Sequence, residues 1–141
     1  MAEGSGNNRT ISSTSATASR SNTSSEEVRS KLPSSFRLYG DIQEREIKEV
    51  EKISKQLEKL NNLIPKYVKS LKENGYTGPI PKEYQIEAYD NRNGTHSYIL
   101  RLDTTYRREN ESAILTGKDF SQRIKKIYER NKEYIKTGKF K

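Results

Sequence analysis

Apolar side chains recur at alternating intervals of three and four residues through the middle of the chain. This spacing places them on one face of a helix, and it suits either a coiled-coil seam or a helix that packs on a sheet. Charged side chains occupy many of the intervening positions, which predicts that the opposite face is exposed. The seam consists of Val50, Ile53, Leu57, Leu60, Ile64, Tyr67 and Leu71.

Capping residues mark the two ends of this predicted helix. Asp41, with Glu44 three residues later, has the spacing of a capping box and predicts a start at residue 41. Asn74 and Gly75 predict a left-handed cap at the other end, at residue 74. Pro65 lies inside the pattern, and because the seam stays in phase across it, we expect a kink near Pro65 rather than a break.

The hydrophobic period then changes to two. Alternating apolar and polar positions form two runs, residues 84–88 and 96–106, on either side of an Asn-Gly turn within residues 90–94. Two such runs around this kind of turn predict a β-hairpin. Residues 107–111 are expected to form a charged turn, and residues 113–116 a short third strand.

A second helix is predicted near the C-terminal end, after Gly117. Asp119 and Gln122 have the spacing of an N-cap pair, and Thr137 followed by Gly138 predicts the end of the helix. The pattern as a whole predicts an α+β domain, in which a long helix and a basic C-terminal helix lie on a three-stranded antiparallel meander. The apolar face of the C-terminal helix carries Phe120, Ile124, Ile127 and Tyr134.

Composition separates residues 1–35 from the rest of the chain. Ser and Thr make up 15 of these 35 residues, and none of the 35 is aromatic. Such a segment cannot bury enough apolar surface to offset its conformational entropy, so it predicts a disordered tail. We therefore expect one small domain over residues 36–141, and deletion of residues 1–31 should leave its melting temperature nearly unchanged.

The positive charge is concentrated at the C-terminal end. The formal net charge is +8, and residues 118–141 hold nine basic and three acidic side chains. This predicts a non-catalytic binding or assembly module, an accessory protein that docks on nucleic acid, on a nucleoprotein assembly or on an acidic protein surface. The residues expected to bind the anion are Arg123, Lys125, Lys126, Arg130 and Lys132.

A small metal-independent ribonuclease is the first alternative. His96 is the single histidine and the natural proton shuttle near neutral pH. Arg101 and Arg107 follow on the same predicted strand and could hold a phosphate. This hypothesis requires His96 and an arginine to converge in an open cleft.

A structural subunit is the second alternative. The helix over residues 41–74 could pair with a second copy or with another protein, as in a virion-like assembly. Its interface would consist of Val50, Ile53, Leu57 and Leu60. If those side chains instead cover the sheet of their own chain, they form an internal core.

The sequence lacks the residues and motifs that several classes of function require. There is no Cys, so thiol catalysis and thiolate metal sites are excluded, and no phosphate-binding loop or dinucleotide fingerprint occurs. We expect no cofactor and no metal. No apolar run reaches the length that spans a bilayer, and no apolar leader is present, so the expected location is the cytoplasm.

Overall fold

The seam forms one continuous helix. The structure is a computed structural model that describes residues 26–139, and in it α1 runs Ile47–Glu73. The helix continues through Pro65 because its apolar positions remain in phase on both sides. Asn74 caps its C-terminus and Gly75 has φ of +78°, which confirms the predicted left-handed cap.

The start of α1 differs from the prediction at residue 41. A 3-10 turn over Glu44–Glu46 precedes the helix, and its capping box joins Gln43 to Glu46 instead of Asp41 to Glu44. The reason is Ile42, which is fully buried. The chain stays extended at Gln43, with φ of −89° and ψ of 153°, and a helix that began at residue 41 could not keep this conformation.

The predicted hairpin is present as β2 (Pro81–Asp90) and β3 (His96–Thr104). The two strands are antiparallel, with Tyr84 opposite Leu102 and Ile86 opposite Leu100. All four of these side chains lie in the core, on the face of the sheet that the helices cover. The alternation of apolar and polar side chains favours this register, since a slip of one residue along either strand would turn its core-facing side chains to the other face.

The third strand of the meander differs in position from the prediction. β4 (Arg108–Asn110) forms within the segment expected to be a charged turn, and β5 is only Leu115–Thr116. Both pair with the free edge of β3. An edge strand needs backbone partners more than apolar side chains, so a charged segment can supply it.

A short strand that the sequence pattern does not predict lies at the other edge. β1 (Phe36–Leu38) pairs in parallel with β2, with Phe36 opposite Ile86 and Leu38 opposite Ala88. Three residues are too few to show an alternation, so no strand was expected there. Their partners are also distant in the chain.

The C-terminal helix, α2, runs Gly117–Thr137 and ends at Gly138, as predicted. Its N-cap is Thr116, so Asp119 lies in the first turn instead of capping it. The Glu49 carboxyl group of α1 lies against Gly117, and a Cβ at this position would require the Glu49 side chain to move. Tyr98 donates a hydrogen bond of 3.0 Å to the same carboxylate, and burial together with this charge raises the pKa of Tyr98.

The predicted tail differs from the structure in its last ten residues. Residues 1–25 lie outside the described part, but residues 26–31 are helical, and Val28 is 6% exposed and belongs to the core. Leu32 packs against the same core. The Arg29 guanidinium donates hydrogen bonds to the carbonyls of Leu38 and Gly40. The low apolar content of residues 1–35 led to the wrong prediction for residues 26–35, because one Val and one Leu are enough to pack this short segment against the domain.

This placement changes the expected result of truncation. A chain that lacks residues 1–31 should be less stable than one that lacks residues 1–25 by about 2 kcal/mol, since only the longer deletion removes the buried Val28. Urea unfolding of the two truncated chains measures the difference. Val28→Ala in the full chain should reproduce part of it, and equal stabilities of the two truncated chains would contradict the packing of this segment.

Candidate anion-binding groove between the two helices

A stripe of lysines runs along α1 beside its buried seam. Successive members are separated by four, three and four residues, so they share one face of the helix. The stripe repeats with the same period as the seam and starts two residues before it, which turns it away from the core. All four side chains are exposed: Lys48, Lys52, Lys55 and Lys59.

The facing helix completes a groove with this stripe. The groove has a volume of about 730 Å³ and lies between α1 and α2, with Lys125 and Tyr128 on the α2 side. Ile124, which is 1% exposed, reaches its inner surface. The groove therefore has an apolar floor and a rim of ammonium groups from two elements of the fold.

Tyr128 joins the two rims. Lys59 of α1 holds its Nζ 6.0 Å from the centroid of the Tyr128 ring, and Lys132 of α2 holds its Nζ 5.4 Å from the same point. At these distances the negative face of an aromatic ring attracts an ammonium group. An ammonium group from each helix therefore contacts the same ring.

Hydrogen bonds join the two helices beside the groove. Gln56 of α1 donates through Nε2 to the carbonyl of Ser121, at 3.3 Å, and the Ser121 hydroxyl donates to Oε1 of Gln56, at 3.0 Å. This reciprocal pair resists sliding of one helix along the other. The two helix backbones that carry the lysines are therefore joined beside the groove.

The groove is positive but has no site for one specific small anion. Five lysines line it, together with the carboxylates of Glu51 and Glu129. No arginine is among the described residues that line it, so the bidentate geometry that selects a carboxylate or a phosphate is missing from this groove. Flexible ammonium groups in a row suit an extended polyanion.

The five residues that were predicted to bind the anion do not all lie at the groove. Lys125 lines the groove, and Lys132 holds its Nζ over the ring of Tyr128; Lys132, Lys126 and Arg130 together line the neighbouring basic surface of α2. Neither Arg123 nor Arg130 lines the groove, and both contact Glu111: Arg123 donates to its carbonyl at 2.9 Å, and Arg130 lies 3.5 Å from its carboxylate. The other lysines that line the groove come from α1, and the heptad interval between them was the signal that could have identified them.

The candidate ribonuclease residues do not converge. His96 is 1% exposed, and its Nδ1–H donates to Oε2 of Glu46 at 2.7 Å. Nε2 of His96 is buried and has no hydrogen-bond partner among the described residues. Arg101 follows five positions later in the strand and therefore points to the other face of the sheet, where it pairs with Glu87 at 3.3 Å. Arg107 is exposed in the turn before β4.

The four side chains of the predicted protein interface belong to the core. Each is 0% exposed, and together with the sheet they form the main hydrophobic cluster. The seam is therefore an internal surface, because α1 lies on the sheet of its own chain. The residues concerned are Val50, Ile53, Leu57 and Leu60.

Neither a metal centre nor a membrane span is found within residues 26–139. In that range no three His, Asp or Glu side chains are grouped so that they could hold a metal ion, and none of the helices has the hydrophobic length of a membrane-spanning segment. Comparison of the chain with protein-family models, with curated proteins and with solved structures gives no match. The geometry of the groove is accordingly the basis on which a function can be assigned.

Proposed function

We propose that this protein is a non-catalytic basic module that binds nucleic acid through the lysine-lined groove between α1 and α2. The observation that carries the proposal is the meeting of two lysine rims at Tyr128, with Lys59 and Lys132 on its ring. Such a module would act as an accessory protein in a nucleoprotein assembly.

The chemistry of the groove favours a polyanion without a specific sequence. Ammonium groups neutralise phosphates and release counterions, whereas they carry little information about bases. The burial of His96 against Glu46 gives the ribonuclease alternative no support, because a substrate could not reach the imidazole. The buried seam likewise gives no support to a subunit that associates through Val50 and its neighbours.

Binding to a labelled oligonucleotide should fall steeply as salt is raised. The logarithm of the binding constant should decrease linearly with the logarithm of salt concentration, by about 0.9 for each phosphate neutralised. Replacement of Lys52, Lys125 and Lys132 by Glu should lower this slope by about 3, since each lysine that no longer neutralises a phosphate lowers it by about 1. Fluorescence anisotropy over a series of salt concentrations measures both quantities.

A matched triple variant separates the groove from net charge. Lys69, Lys72 and Lys82 are exposed or partly exposed and do not line the groove, so their replacement by Glu changes the net charge equally. This control should retain most of the binding. Equal losses of affinity in the two triple variants would mean that overall charge, and not the groove, attracts the nucleic acid. An absence of binding by the unmodified chain would contradict the proposal.

A further inference from the structure

A second cavity opens at the end of the sheet where β3 and β4 meet. It has a volume of about 380 Å³ and lies among the C-terminal part of α1, the loop before β2, the β3–β4 turn and α2. We call it the tyrosine cleft, since three tyrosines line it together with acidic and basic side chains. Its lining includes Tyr67, Tyr76, Tyr84, Glu109, Glu111 and Arg130.

The inner wall of the tyrosine cleft is fixed. Tyr84 is 0% exposed, and its hydroxyl oxygen accepts a hydrogen bond of 2.9 Å from Asn131, which is itself 1% exposed. Burial raises the pKa of Tyr67 to about 12 and also raises the pKa of Tyr84. Both phenols therefore keep their protons throughout the physiological pH range.

Donors and acceptors stand side by side at the mouth of the cleft. Arg130 lies 3.5 Å from the Glu111 carboxylate, and Arg107 lies 3.6 Å from the Glu109 carboxylate. Each pair presents N–H donors beside carboxylate acceptors. The edge of an unpaired base offers the complementary pattern, and a carboxylate can accept hydrogen bonds from an exocyclic amino group.

Tyr76 provides an aromatic surface at the rim. It is 39% exposed, and its ring lies over Gly78 so closely that a Cβ there would come within 2.7 Å of the ring carbon that bears the hydroxyl. The glycine leaves room for this position of the ring. Aromatic side chains of this kind stack with bases that are not paired in a duplex.

A basic surface connects the cleft to the groove. Arg130 lines both the cleft and the surface of α2 that carries Lys126, Lys132 and Lys136, and Glu129 lines both this surface and the groove. A strand whose phosphates lie along the lysines of α2 would therefore pass the mouth of the cleft.

We propose that the tyrosine cleft receives an unpaired base of a single-stranded nucleic acid and favours bases that carry an exocyclic amino group. This inference rests on the proposed function of the groove. The base stacks on Tyr76, and its amino group donates to Glu111 beside Arg130. A base within a duplex is paired and stacked, so it cannot enter.

The test compares length-matched oligonucleotides of thymine and of cytosine with a duplex of the same length, each bound to the full chain. Single strands should bind about tenfold more tightly than the duplex, and cytosine strands about fivefold more tightly than thymine strands. Tyr76→Ala should weaken single-strand binding about tenfold and leave duplex binding unchanged. Glu111→Gln should remove the preference for cytosine.

Tyr106→Ala is the matched control, since Tyr106 is 77% exposed and does not line the cleft. Circular dichroism verifies that each variant is folded, and Glu111→Gln, which preserves the shape of the side chain, tests the cleft even if Tyr76→Ala does not fold. Equal effects of Tyr76→Ala and Tyr106→Ala, or no preference for single strands or for cytosine, would overturn the inference. The proposed function would still stand in that case if the groove variant lost binding, whereas a chain that binds no oligonucleotide would overturn both.

Discussion

Glu46→Ala is expected to lower the free energy of unfolding by about 3–5 kcal/mol, because the substitution leaves the buried imidazole of His96 without its only hydrogen-bond partner among the described residues. The Glu46 carboxylate is 6% exposed and holds two parts of the fold together. Its Oε1 accepts a hydrogen bond of 2.8 Å from the backbone of Gln43 at the start of the helical region, and its Oε2 accepts the one from His96 on β3. Urea unfolding followed by circular dichroism measures the loss.

A double replacement tests whether the loss comes from the unpaired imidazole. Glu46→Met combined with His96→Leu removes both polar partners and keeps apolar volume at the site, so it should be less destabilising than Glu46→Ala alone. His96→Leu by itself should leave a buried carboxylate and should also be strongly destabilising. A loss below about 1 kcal/mol for Glu46→Ala would mean that solvent reaches the pair and that it is not a buried connection.

Asn61→Ala should lower the free energy of unfolding by about 2–4 kcal/mol, since it removes two hydrogen bonds to one residue of β2. Oδ1 of Asn61 accepts from the backbone N–H of Tyr84 at 2.6 Å, and Nδ2 donates to the carbonyl of Tyr84 at 3.1 Å. Just beyond this point the same edge of β2 is paired with β1. The Asn61 side chain thus pairs with the edge of β2 at a position that β1, which begins opposite Ile86, does not cover. Urea unfolding of the variant and of the unmodified chain measures the difference.

The next residue of the chain is a matched control for this prediction. Asn62 is exposed on α1, so Asn62→Ala changes helix propensity in the same way without removing a hydrogen bond to the sheet. We expect Asn62→Ala to be neutral or slightly stabilising. Asn61→Asp keeps the acceptor for the N–H of Tyr84 and loses the donor, so its stability should fall between those of the unmodified chain and Asn61→Ala. Similar effects of the two alanine variants would contradict the role given to Asn61.

The candidate site was only partly accessible from the sequence. The count of basic residues identified α2, and it included Lys125 and Lys132 near Tyr128. The count could not show that Arg123 and Arg130 contact Glu111 instead of the groove, because Glu111 lies outside α2. The heptad interval of the α1 lysines could have identified the stripe but not the groove, since a stripe of lysines on one helix becomes a groove only when a second helix lies beside it.

Local spacing by itself determined the long helix, the hairpin and the C-terminal ends of the helices. These features depend on residues within a few positions of one another: the seam repeats every turn, the strands alternate, and Gly75 and Gly138 take positive φ at the ends. The interval of two between His96 and Tyr98 also placed the imidazole on the inner face of the sheet.

Only the tertiary structure decided which distant residues meet. Four contacts join segments that are far apart in the sequence. They are the pairing of β1 with β2, the burial of Val28, the hydrogen bond between His96 and Glu46, and the hydrogen bonds between Asn61 and β2. Each of these contacts is stabilised by burial or by a shared hydrogen bond that exists only after the chain has closed a long loop. Since no local preference of the residues encodes such a contact, the spacing pattern predicted the helices and strands but not the connections between them.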